Sequence, residues 1–172
     1  LASLLAHGDD EPILVGGADE RHATLGPLVD PLPEGEAPAD GGGVLLVRRA
    51  DTVTGVRVVP RLPAVATGVD PVAATFDALG GPESVRERFA AVLAVGATEG
   101  AGGAVRELAD LLGRADFSGP VVDARRALGA FPTVSATATV VAVELVRSGV
   151  LPAALAGGRD LPLDGRGILV AS

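Results

Sequence analysis

The chain has 172 residues, a formal charge of −8, 48% apolar residues and no cysteine. That length suffices for one domain with a core, or for part of a larger one. The missing thiols exclude disulfides, thiolate metal sites and a Cys nucleophile within these residues, and the charge disfavours binding to a phosphate backbone. Methionine is also absent and the first residue is Leu1, so the chain reads as a fragment, a processed product or a short protein. No apolar run approaches the roughly 20 residues that span a bilayer, and nothing resembles a secretion signal. A cytoplasmic location, with neither membrane nor nucleic-acid partner, is the expectation.

Leu1, Leu4 and Leu5 share one face of a helix that Gly8 would stop. Pro12 precedes the apolar strand Ile13-Leu14-Val15, which Gly16-Gly17 would close. Four prolines and four acids make Pro27 to Asp40 an exposed acidic loop. Gly41-Gly42-Gly43 leads to a second strand, Val44 to Val47. A turn at Thr54-Gly55 opens a third over Val56 to Val65, which Pro60 and Pro63 push to an edge or bulge.

Pro82 suits a first helical position, and Val85, Phe89, Val92 and Leu93 describe a helix face running toward a strand that ends near Val95. After the glycine-rich turn Gly96 to Gly103, the residues Val105, Leu108, Leu111 and Leu112 mark another helix, stopped by Gly113. Val121-Val122 is a short strand. Ala136 to Val146 is apolar or small almost all round, so this helix should be buried over its whole circumference between two layers and end at Gly149. Gly167 to Ala171 is a last apolar strand. Apolar strands alternating with helices describe an α/β fold whose sheets are covered on both sides. A helix buried all round favours a layered α/β/α/β/α arrangement.

Three segments carry a resemblance. LASLLAHGDDEPILVGGAD (Leu1 to Asp19), GEAPADGGGVLLVRR (Gly35 to Arg49) and VVDARRALGAFPTVSATATVVAVELVRSGVLPA (Val121 to Ala153) together resemble the β-ketoacyl synthases, condensing enzymes of the thiolase-like superfamily. The resemblance implies that residues 1–50 close the first half of a thiolase-like fold and residues 51–172 form most of the second. The family's nucleophilic Cys would precede Leu1, outside this chain. Its two His positions fall on Val95 and Ala130, and its Lys falls on Arg125. Neither Val nor Ala can donate a hydrogen bond to a developing oxyanion, and losing such a donor costs about 3–4 kcal/mol of transition-state stabilisation. Arg125 keeps the charge but not a tunable amine. The chain is therefore most similar to the degenerate chain-length-factor subunits of type II polyketide synthases. These lack catalytic residues, pair with an active ketosynthase, shape its acyl tunnel and meet acyl carrier protein through the complex. On that footing no cofactor or metal is expected, and Arg125, Phe131 and Pro132 are candidates for the shared tunnel or interface. Two departures stand: the insert between Gly17 and Gly41 is short, and the family's closing Gly-Phe-Gly-Gly loop is absent.

A second function class rests on the turn GATEGAGG within Gly96 to Gly103. Gly100 and Gly102 supply G-x-G between a strand and a helix, the context of a nucleotide-binding turn, although Val105 takes the third glycine position and the acid at the next strand's end is Asp123. A plain tight turn is the blander reading. His7 and His22 flank Asp9, Asp10, Glu11, Asp19 and Glu20 without metal-ligand spacing, so these acids read as solvated. Thr133, Ser135, Thr137 and Thr139 have no His nearby in sequence to serve as a base. They read as capping and small-residue packing.

Overall fold

A computed structural model describes residues 13–20, 39–47, 70–95, 102–130 and 133–172. The chain is mixed α/β. Strands β1 (Ile13–Asp19) and β2 (Gly41–Val47) pair antiparallel, with Leu14 opposite Leu46 and Gly16 opposite Val44. Helices α1 (Pro71–Leu79) and α2 (Pro82–Arg88) lead into β3 (Phe89–Ala94). Then come α3 (Gly102–Arg114), β4 (Val121–Asp123), α4 (Ala124–Leu128) and α5 (Val134–Ser148). The short β5 (Val150–Leu151), α6 (Ala153–Ala156) and β6 (Leu161–Pro162) precede β7 (Gly167–Ala171). Among the described residues β3, β4 and β7 form a parallel sheet in the order β4-β3-β7, while β5 and β6 pair antiparallel.

The parallel sheet is covered on both faces, as its unbroken apolar strands require. On one face, Val72, Phe76 and Leu79 of α1, Val85 of α2, and Leu111 with Ala115 at the end of α3 form a buried cluster that includes Phe89 and Leu169. On the other, Ile168 and Val170 join Ala91, Leu93 and Val122 against Leu145, Val141 and Ala142 of α5 and Leu155 of α6. Adjacent β7 residues thus point to opposite helical layers, the period of two expected of a strand.

Helix α5 touches β7 on one side and the β1–β2 hairpin on the other. The hairpin meets it at backbone distance. A Cβ on Gly43 would lie 2.9 Å from Val140 Cγ2 and 3.0 Å from Ala136 O, and one on Gly17 would lie 2.7 Å from Thr133 Cγ2. The layers therefore run α1–α3, parallel sheet, α5, hairpin.

Several sequence expectations are corrected. Gly16-Gly17 lie inside β1, and β2 already begins at Gly41, with Gly42 and Gly43 inside it; the close approach of α5 leaves no room for side chains at Gly17 and Gly43. The helix expected through Phe89, Val92 and Leu93 ends at Arg88. Phe89–Ala94 is the central strand, and Ala90 to Ala94 are all buried. An apolar run buried on both faces carries no strand period, so its residues can mimic helical spacing. Gly113 lies inside α3, which ends at Arg114, and the following turn includes Asp116 with φ 50°. Helix α5 is not buried all round. Val134, Ala138 and Ala142 are buried, but Val146 is 42% exposed and Glu144 and Arg147 face solvent. The expected strand Val56 to Val65 and the loop from Pro27 to Pro38 lie outside the described residues.

Helix α1 was not anticipated, although its signals are local. Asp70 accepts from Val72 N–H at 3.0 Å, Pro71 takes the first position, and Gly80 closes the helix with φ 93°. These are standard start and stop chemistry.

Candidate functional site at the carboxyl end of the parallel sheet

In open α/β sheets the carboxyl ends of the strands are where ligands collect, since loops and helix starts converge there. Here that end is made by Ala94, Asp123 and Ala171, which share one register level across the three strands. Val95 continues β3 and its N–H donates to Ala171 O at 2.7 Å.

Beyond β4 the chain turns at once into α4. The Asp123 side chain holds that turn: Oδ1 accepts from Arg125 N–H at 3.0 Å and from Arg126 N–H at 3.1 Å. The other oxygen stands 3.9 Å from Arg126 Nε. An aspartate just before a helix caps its unpaired N–H groups, which is why the chain bends here. Arg125 emerges half-buried and Arg126 exposed.

Gly129, with φ 97°, ends α4, and Ala130 is completely buried. The Ala130 carbonyl accepts from Ala39 N–H at 3.4 Å. Three residues on, the Thr133 N–H donates to Asp19 Oδ2 at 2.6 Å. The Asp19–Gly41 end of the hairpin is thus fastened beside the start of α5. Phe131 and Pro132 lie outside the described residues.

Val95 and Arg125 accordingly stand at the same end of the sheet, one after β3 and the other after β4. Ala130 lies past α4, where the hairpin crosses. Of the three, Arg125 alone has a polar side chain. A guanidinium supplies donors and fixed positive charge but neither a base nor a nucleophile. Only the Arg125 guanidinium could attract or orient an anionic or carbonyl group, and none of the three side chains can move a proton at neutral pH.

The nucleotide alternative is placed in part. The turn Gly96 to Gly103 leaves the central parallel strand and enters α3 at Gly102, but residues 96–101 lie outside those described. Asp123, the acid that would reach a ribose, already spends Oδ1 on capping α4. His7 and His22 are also outside the described residues, and among those described no group of three or more His, Cys, Asp or Glu could hold a metal. No helix among them is long and apolar enough to cross a membrane.

The threonine and serine cluster divides. Thr139 Oγ1 donates to Ser135 O at 2.8 Å, inside α5. Thr133 occupies the N-cap position but makes no side-chain cap bond, while its own N–H is accepted by Asp19. Sequence reading could find Asp123 as a cap, since it precedes Ala-Arg-Arg directly. It had no local signal for Asp19. Comparison with known family models, curated proteins and solved structures finds no match for this chain.

Proposed function

We propose that this chain is a non-catalytic, ketosynthase-like subunit of the chain-length-factor kind. It pairs with an active β-ketoacyl synthase, reaches acyl carrier protein through that complex and helps to shape the acyl tunnel. The observation that carries the reading is the chemistry of Val95, Arg125 and Ala130. At the positions where the resemblance asks for His, Lys and His, the chain offers one fixed cation and two side chains without polar atoms. The thiolase-like α/β/α/β/α layering belongs to the same proposal, with residues 1–50 closing one half and 51–172 forming the other. It is supported by α5, which lies between the hairpin and the parallel sheet. Arg125, Phe131 and Pro132 would face the tunnel or the subunit interface.

Co-expression with a Cys-bearing ketosynthase tests the proposal. A stable complex that alters the chain length of the ketosynthase product supports it. Failure to co-purify with any ketosynthase encoded beside it counts against it.

A second reading, a nucleotide-binding α/β enzyme, is favoured by one observation: the glycine-rich turn follows β3, the middle strand of the parallel sheet. A thermal-shift screen with mono- and dinucleotides isolates it, since a saturating ligand at 100 times its Kd stabilises by about 2.7 kcal/mol.

A further inference from the structure

The β1–β2 hairpin is attached to the molecule differently from every other described layer. The parallel sheet is held by interlocking side chains, with Val85, Ala91, Val92 and Leu151 completely buried around it. Among the hairpin residues whose burial is described, Gly43 alone is buried, and it has no side chain to interlock. Leu14, Val44 and Leu46 are exposed. Where the hairpin meets α5, the contact runs through Gly17 and Gly43 at backbone distance. Thr133 Oγ1 and Thr137 Oγ1 are buried along that contact with no hydrogen-bond partner among the described residues. A hydroxyl buried without a partner has given up water for nothing, so it weakens the contact that buries it. Two polar contacts at one end oppose that loss: Asp19 Oδ2 accepts the Thr133 N–H at 2.6 Å, and Ala130 O accepts the Ala39 N–H at 3.4 Å.

We propose that the hairpin is a detachable strap, latched at Asp19 and Ala39, which opens as one unit while the parallel sheet and its helices stay folded. Among the described residues, opening breaks the latch and the glycine contacts and disturbs no buried side-chain cluster. It lets water reach both threonine hydroxyls. It also frees the Ala130 carbonyl and the start of α5, so the strap governs access to the carboxyl end of the parallel sheet from the hairpin side. A two-stranded hairpin alone is marginal in water. Once released it loses its pairing, and its amides exchange with solvent. This inference does not depend on the proposed function.

Native-state hydrogen exchange on the whole chain tests the proposal. The paired amides of β1 and β2 should share one opening, roughly tenfold or more faster than that of β3, with a shallower dependence on urea because less surface is exposed. Val85→Ala weakens the face of the parallel sheet away from α5. It should speed exchange in β3 roughly tenfold and leave the hairpin unchanged, since α2 stays folded when the strap opens. Asp19→Ala should speed both regions by the same factor, because the latch is lost in either opening. Hairpin amides that quicken with Val85→Ala as much as those of β3 would reveal a single cooperative unit and overturn the proposal. Hairpin amides with unrelated rates, indifferent to Asp19→Ala, would reveal strand-by-strand fraying and overturn it too. Should Val85→Ala fail to fold, the urea slopes of the native chain decide, and equal slopes in hairpin and β3 sink the strap.

Discussion

The Asp19 carboxylate accepts the Thr133 N–H at 2.6 Å, joining residues 114 positions apart. It ties the last residue of β1 to the N-cap of α5, so one polar contact joins the hairpin to the start of the layer-spanning helix.

Removing that acceptor should loosen the end of the hairpin. Asp19→Ala is expected to cost about 1–2 kcal/mol in urea unfolding, the usual loss for a helix start deprived of its acceptor. Asp19→Asn keeps an oxygen in place and should recover most of it. Equal losses in the two variants would mean that charge, not the hydrogen bond, matters here.

Gly43 sets the spacing of hairpin and helix. In Gly43→Ala the new Cβ would meet Ala136 O and Thr137 Cα, each at 3.0 Å. Backbone cannot yield as a side-chain tip does, so a loss of about 1–3 kcal/mol is expected. Gly113→Ala is the control. It lies inside α3 with no atom within 4 Å of its Cβ, and it should stabilise by about 0.5–1 kcal/mol.

Asp70 and Arg114 link α1 to α3 by an ion pair of 2.7 Å, and Asp110 joins Arg114 at 2.6 Å. The hydrogen bond from Arg114 holds the Asp70 carboxyl below its ordinary value of 3.8, helped by the Val72 N–H. A lowered folded-state value means that the stabilisation is present above 3.8 and is lost as pH falls through the folded value. The stability gap between the native chain and Asp70→Asn should therefore be constant near neutrality and close in strong acid. Both groups are exposed, so salt should shrink the gap. A gap that persists in acid would place the effect in the cap rather than the ion pair.

The isolated chain should not condense acyl and malonyl thioesters. Val95→His with Ala130→His should not restore turnover, because these residues still include no Cys nucleophile. Turnover above a buffer blank, in a preparation free of other ketosynthases, would overturn the proposed function. Ala130 is completely buried, so circular dichroism must first confirm that the double variant folds.

The sequence by itself determined the α/β class, β7 to the residue, and a helix after Thr133 ended by Gly149. Each is written in local signals: continuous apolar strands, an apolar helix surface and a glycine that accepts φ 73°. It also determined the chemical poverty of Val95 and Ala130, which no packing can change. Only the tertiary structure decided that Phe89–Ala94 is a strand, because burial on both faces removes the alternation that marks one. It likewise decided that Gly17 and Gly43 are strand residues pressed against a helix, that Val146 stays exposed, and that Asp19 serves Thr133. Those facts depend on which segments meet across separations from about thirty to more than a hundred residues, and local spacing carries no record of such meetings.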